Sequence, residues 1–213
     1  MEPAADRAVV CDVNETLIDL SGLRDAMALA GLDAQDLPLW FARTQREGFG
    51  LAAAGDWRSF RDVGIAVLEQ MGAQPVAAHA VLDALAACPL HPDVPTGIAA
   101  LQRAGFRVAT LTVGSSALVA QTFMSAEITD VVHLSCDAVQ RWKPAPEPYR
   151  YAMDHLATNE LTMIASHQWD LHGAARVGYA TAWLNRSGVR PNAIYPPPDL
   201  QASSLIDVAE ILV

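Results

Sequence analysis

Four short stretches, spread over the whole chain, carry side chains able to displace a leaving group. The first is Val9-Val10-Cys11-Asp12-Val13-Asn14-Glu15-Thr16-Leu17, an apolar run that stops at a carboxylate and resumes after a polar turn. A carboxylate at the carboxyl end of a buried strand can attack carbon or phosphorus, dividing one displacement into two through an ester or acyl phosphate. Asp12 is therefore the candidate nucleophile, although by itself it reads equally well as a helix cap. The second stretch, Thr112-Val113-Gly114-Ser115-Ser116, joins a hydroxyl to a glycine-containing turn. Backbone N–H groups there can hold an anionic oxygen, or the turn simply starts a helix on Ser115 or Ser116.

In the third, Lys143 stands between Trp142 and Pro144-Ala145-Pro146, just ahead of Tyr149. A lysine held that rigidly suits a fixed positive charge beside a carboxylate; a solvated lysine is the other reading. The fourth is Ile164-Ala165-Ser166-His167-Gln168-Trp169-Asp170-Leu171-His172-Gly173-Ala174, where a strand ends in a polar loop and Asp170 opens a helix. Asp170 is either a first-turn acid favoured by the helix dipole or a general base toward water. His167 can share the second role because an imidazole titrates near neutral pH, or it is a structural hydrogen-bonder. His172 is expected at the surface or in packing.

The intervening sequence tells what must hold these groups. From Pro92 onward the pattern alternates: helix 96–104, strand 107–112, helix 115–125, strand 131–134, helix 146–157, strand 161–165, helix 170–177 and strand 180–184. Such alternation predicts an α/β fold, a Rossmann-like three-layer core around a parallel sheet. The first strand lies about ninety residues earlier, and residues 20–88 read as helices without strands; Trp57 to Met71 has helical spacing. The division expected is a core of residues 1–17 and 92–213 with an all-helical cap, 18–91, inserted after the first strand. A cap in that position closes over the strand ends and excludes water. Gly188 to Gln201, with Pro196-Pro197-Pro198, is expected to be an irregular loop before a short final helix.

Composition narrows the partners. With 14 Lys plus Arg against 24 Asp plus Glu, the net charge of −10 disfavours nucleic acid and anionic membranes. A small anionic substrate then needs a local cation. Hydrophobic residues make up 52% of the 213, ample for a core. Cys11, Cys88 and Cys136 are odd in number and widely spaced, which fits reduced thiols and no metal site. The stretch Met1 to Arg7 lacks the features of an export signal, and no apolar run has the length of a membrane span, so a cytoplasmic protein is expected.

Taken in order, Asp12 with Thr16, Thr112 with Ser115, Lys143-Pro144 and Asp170 resemble the four motifs of the haloacid dehalogenase superfamily over the whole chain. Most of that superfamily is Mg²⁺-dependent and transfers phosphoryl groups. Its phosphatases carry a second Asp two residues after the nucleophile, where this chain has Asn14, and an acidic pair in the fourth motif, where it has Ser166. An amide cannot protonate a leaving alkoxide, and a lost carboxylate leaves a poor site for a hard dication. The Asp-x-x-x-Thr-Leu opening, the run from Lys143 to Tyr149 and Trp169-Asp170-x-x-Gly-Ala resemble instead the metal-independent type II L-2-haloacid dehalogenases.

That resemblance implies a hydrolase acting on carbon–halide bonds of short 2-haloalkanoic acids, through an aspartyl ester on Asp12, with no cofactor and no metal. Water activated near Asp170 or His167 would hydrolyse the ester. Thr16, Lys143 and Tyr149 would position and neutralise the carboxylates, and Thr112 and Asn14 would face the substrate. Arg43, in Leu39-Trp40-Phe41-Ala42-Arg43-Thr44-Gln45-Arg46, aligns with the family's halide-binding arginine, Phe60 with its apolar cap aromatic, and Trp169 would lean over the site. Arg46 is expected at the surface; Trp40, Phe41 and Trp57 read as cap core. The chain departs from the family at Val113, Ala165 and His167, where the family has Asn, Ser and Asn. The implied partners are a 2-haloacid and a halide, and a homodimer is compatible with the resemblance. A Mg²⁺-dependent phosphatase and a capped ligand-binding protein without turnover are the alternatives.

Overall fold

Strands rich in Val, Ile, Ala and Leu supply the centre of the molecule. The computed structural model describes residues 7–212. The export reading of Met1 to Arg7 falls, up to residue 6, outside them. Strands β1 (Ala8–Cys11), β2 (Arg107–Thr112), β3 (Val131–Ser135), β4 (Leu161–Ala165), β5 (Ala180–Leu184) and β6 (Leu200–Ala202) form one sheet in the order β3-β2-β1-β4-β5-β6, and every pairing is parallel. All four residues of β1 are buried, as expected of a central parallel strand with both faces covered.

Helices α5 (Val94–Arg103), α6 (Ser116–Ser125), α7 (Pro146–Leu156), α8 (Gln168–Ala175) and α9 (Leu205–Leu212) connect and cover the strands. Between β1 and α5 lie α1 (Arg24–Leu29), α2 (Leu37–Ala54), α3 (Phe60–Gln70) and α4 (Pro75–Asp83), with short 3-10 turns. The expected helices and strands recur within one or two residues at most ends. The exception is β6: Leu200–Ala202 pairs with β5 inside the stretch expected to be loop. Three residues at a sheet edge, after three prolines, leave too little periodicity to read.

Two core clusters flank the sheet. Val9 and Cys11 face one that runs into the helical block through Trp40, Phe41, Phe60 and Trp142; Val10 faces the other with Tyr149 and Tyr179. The first cluster joins the block to the strand ends. Gly48 on α2 lies directly against the Trp142 ring, where a Cβ would collide with it. Trp142 Nε1 in turn donates to the Arg58 carbonyl at 2.8 Å. The residue before Lys143 is thus fixed from the helical side. Cys11, Cys88 and Cys136 are unpaired and buried. No described helix is long and apolar enough to cross a membrane.

Candidate active site

Sheet topology brings the four stretches together. Strand order reverses between β1 and β4, the place where open α/β sheets leave a crevice at the carboxyl edge. Asp12 follows β1 there, its N–H donating to the Ile164 carbonyl at 2.9 Å. Register Cys11↔Thr110 sets the tip of β2 on one side of it, and Cys11↔Ile164 sets Ala165 and Ser166 on the other.

The centre is a triad of charges. Lys143 Nζ lies 3.1 Å from Asp12 Oδ1 and 2.8 Å from Asp170 Oδ2, with the lysine and Asp170 fully buried. Asp170 Oδ1 accepts from the Tyr149 hydroxyl at 2.5 Å, so both its oxygens are engaged. Asp12 Oδ2 accepts from Thr16 Oγ1 at 2.7 Å, and Thr16 Oγ1 accepts from the Ser166 N–H at 3.0 Å. Arg186 Nε donates to the Thr16 carbonyl at 2.9 Å, while its Nη1 meets Asp93 at 2.9 Å, which anchors the turn.

Burial works against the Asp12 charge, but the Lys143 ammonium, His167 and Thr16 outweigh it and hold the carboxyl well below its usual range. Asp12 is thereby kept as an anion at neutral pH, the state in which a carboxylate can attack. For Asp170 burial comes first and pushes its carboxyl upward, although Lys143 and Tyr149 oppose this. Lys143 is itself pushed upward: burial disfavours its charge, and the two carboxylates more than restore it.

His167 caps the start of α8 between aromatic rings. Its imidazole stacks on Trp169 with centroids 5.4 Å apart and lies 5.8 Å from Phe41. Nε2 is 2.9 Å from Glu15 Oε2, and Nδ1 is 3.6 Å from Asp12 Oδ2, close for an ion pair but beyond hydrogen-bond reach. Burial lowers its pKa, yet Asp12 and Glu15 raise it overall to about 10, so the ring is cationic at neutral pH.

The remaining expected residues divide. Asn14, Phe60 and Thr112 line a cavity of about 140 Å³ whose other walls include Ile18, Leu82 and Leu118. The Thr112 hydroxyl accepts from the Gly114 N–H at 2.9 Å, and Ser115 caps α6. Trp169 leans over the site through its stack on His167. Val113 is packed in the core cluster. Asp170, read as a base toward water, has no surface and no free oxygen.

Arg43 is not brought to the cluster. Phe41, Gln45 and Phe49 share one flank of α2, with Phe41 against His167 and Phe49 4.9 Å from Trp169. Two residues on a helix differ by about 200°, which puts Arg43 on the opposite flank. There it is partly exposed. Of α2, it is the flank of Phe41 and Phe49 that meets His167 and Trp169. Phe41, read only as cap core, is a wall of the site.

Glu15 and Arg186 escape the sequence reading. Glu15 carries one signal, its position between Asp12 and Thr16; Arg186 carries none, since its target is a main-chain carbonyl 170 residues away.

Gly173 explains why a small residue follows Asp170. An added Cβ would stand 2.6 Å from the Tyr149 hydroxyl and 2.8 Å from Pro144. Gly173→Ala should therefore displace Tyr149 from Asp170 and lower stability by about 1–3 kcal/mol, the usual cost of overpacking. A urea midpoint equal to that of the wild type would contradict this.

Comparison with known proteins agrees with this geometry. A family model described as haloacid dehalogenase-like hydrolase matches residues 7–178. An (S)-2-haloacid dehalogenase 1 from Pseudomonas sp. (strain CBS-3) is 26% identical over 97% of this chain and 96% of its own. The (S)-2-haloacid dehalogenase 4A of Burkholderia cepacia is 31% identical over 57% of this chain and 54% of its own. In structure, the L-2-haloacid dehalogenase of Xanthobacter autotrophicus with chloropropionic acid covalently bound superposes with a TM-score of 0.85, covering 97% of this chain and 98% of that one at 23% identity.

Proposed function

Because the chain belongs to the haloacid dehalogenase-like hydrolases, we propose that it hydrolyses the carbon–halogen bond of short 2-haloalkanoic acids to 2-hydroxy acids. Asp12 attacks C2, halide leaves from the opposite face, and water hydrolyses the resulting aspartyl ester. The observation that carries this reading is an ionised, nearly buried carboxylate with a lysine ammonium and no acidic neighbour two residues on. A departing halide needs no proton, so Asn14 is no handicap.

The other groups take roles from their contacts. Lys143 and Thr16 aim the Asp12 oxygens, and Asp170 with Tyr149 holds Lys143 in place. The apolar cavity receives the substituent on C2; about 140 Å³ suits a short alkyl chain. Thr112 and Asn14 are among its polar lining. The positive charge beside the nucleophile comes from Lys143 in place of Arg43. Among the described residues, 18–91 serve as the lid over a core made of 7–17 and 92–212. The unpaired cysteines support a reducing compartment such as the cytoplasm.

The Mg²⁺-dependent phosphatase is the weaker reading. Lys143 Nζ already stands between Asp12 and Asp170, and no group of three His, Cys, Asp or Glu among the described residues is arranged for a metal. The test is halide release from 2-chloropropionate with and without a chelator. Equal rates, with no release of phosphate from p-nitrophenyl phosphate, are expected. Chelator-sensitive phosphate release without halide release would replace the proposal by the phosphatase.

A further inference from the structure

We infer that His167 is the general base of the second half-reaction and that Glu15 is its positioning residue. The inference rests on Asp12 being the nucleophile. It assigns the proton of the attacking water to Nδ1 of His167, with Nε2–H held by Glu15.

Geometry singles out this pair. Nδ1 points toward Asp12, is buried, and has no hydrogen-bond partner among the described residues, whereas Nε2 is committed to Glu15 at 2.9 Å. An orienting carboxylate, an imidazole and a nucleophile in that sequence form the arrangement that catalytic triads use. Glu15 occupies the left-handed region at φ +62°, a conformation that a non-glycine residue adopts only when its surroundings hold it there. The Ser166 hydroxyl secures that turn by donating to the Glu15 carbonyl at 3.3 Å. Strain of this kind points to a demand on where the Glu15 side chain goes.

Water has its own way in. A second cavity, of about 470 Å³, is lined by Glu15, Ser166 and His167 and by none of the walls of the apolar cavity. Asp170 lines neither cavity. Of the two candidate bases, Asp170 and His167, only His167 lines a cavity.

The proton inventory closes as follows. In the free enzyme His167 faces two carboxylates, Asp12 and Glu15, with Lys143 behind Asp12 and Asp19, Arg24, His91 and Arg186 on the far wall of the polar cavity. When an Asp12 oxygen bonds to C2, the C–halogen bond breaks, halide leaves with the electron pair, and Asp12 becomes an uncharged ester. His167 has then lost one of the two anions that kept it protonated, and the Nδ1 proton passes to solvent through the polar cavity. Water next adds to the Asp12 Cγ; one of its protons goes to Nδ1, and the other passes from the new Cγ hydroxyl to the departing alkoxide oxygen of the hydroxy acid as the Cγ–O ester bond breaks. Asp12 carboxylate and His167 imidazolium are restored. The net change is one water consumed, with one halide and one proton released.

Single turnovers of excess enzyme with 2-chloropropionate test this. His167→Gln should release close to one halide per substrate and retain a mass adduct on Asp12 that decays at least about a hundredfold more slowly than in the wild type. Glu15→Gln should slow decay about tenfold and move the midpoint of its pH dependence downward, because the carboxylate that raises the His167 pKa is gone. A residue that only supported the fold would leave that midpoint in place. Ester decay at the wild-type rate in His167→Gln, or an unmoved midpoint in Glu15→Gln, overturns the inference while Asp12 keeps its role. Absence of halide release by the wild type overturns both.

Discussion

Asp12→Asn should release halide from 2-chloropropionate at least about a thousandfold more slowly than the wild type, a loss of about 4 kcal/mol of transition-state stabilisation. The proposed chemistry is an attack by a carboxylate oxygen, and the neutral amide has no comparable electron pair to offer. The substitution preserves shape, and the amide oxygen can still accept from Lys143, while the amide nitrogen takes the place of the oxygen that accepted from Thr16. Lys143 retains Asp170 as its counter-charge at 2.8 Å. The variant should therefore fold with near-normal stability and still bind substrate, separating chemistry from binding. Halide release within tenfold of the wild type, in protein whose mass shows that the introduced amide has not hydrolysed back to the acid, would remove Asp12 from the mechanism.

The second large effect belongs to Lys143. Lys143→Met keeps the volume of a fully buried side chain but leaves Asp12 and Asp170 without their shared ammonium. Breaking a buried ion pair on one side is costly because a charge remains stranded; about 3–5 kcal/mol is expected at pH 7. Dehalogenation should fall by at least about a hundredfold as well, since the nucleophile loses its alignment.

The pH dependence makes the test specific. In the wild type the Asp12 carboxyl is held below its ordinary value of 3.8, so it contributes stability that is present above that pH and fades as acid forces protonation. Without the lysine, burial at Asp170 is opposed by Tyr149 alone and raises that carboxyl further, so protonation there relieves the stranded charge. The deficit of Lys143→Met relative to wild type should shrink from pH 7 toward pH 4, measured by urea midpoints at each pH. A deficit independent of pH would mean that Lys143 acts through packing alone.

Much of the site is legible before the fold. Asp12, Thr16, Lys143, Tyr149 and Asp170 meet around one ammonium, and each is marked in the chain by a strand end, a proline-fixed turn or a helix start. Asp170 stands at its helix start as expected, but its surroundings turn it from a group awaiting water into the support of Lys143. Arg43 and Phe41 show the opposite failure: a shift of two positions on α2 reverses which flank faces His167. The three residues of β6 fall below the length at which alternation can be recognised.

Local signals sufficed for the alternation of elements, the order of the four motifs and the placing of Asp12 at a strand end, because hydrophobic period and turn chemistry act over a few neighbouring residues. Long-range packing settled the rest: which flank of α2 covers the site, that Glu15 meets His167 across 152 positions, and that Arg186 holds the Thr16 carbonyl. Those contacts depend on the phase of a helix and on a left-handed turn at Glu15, neither of which is encoded within the segments it joins.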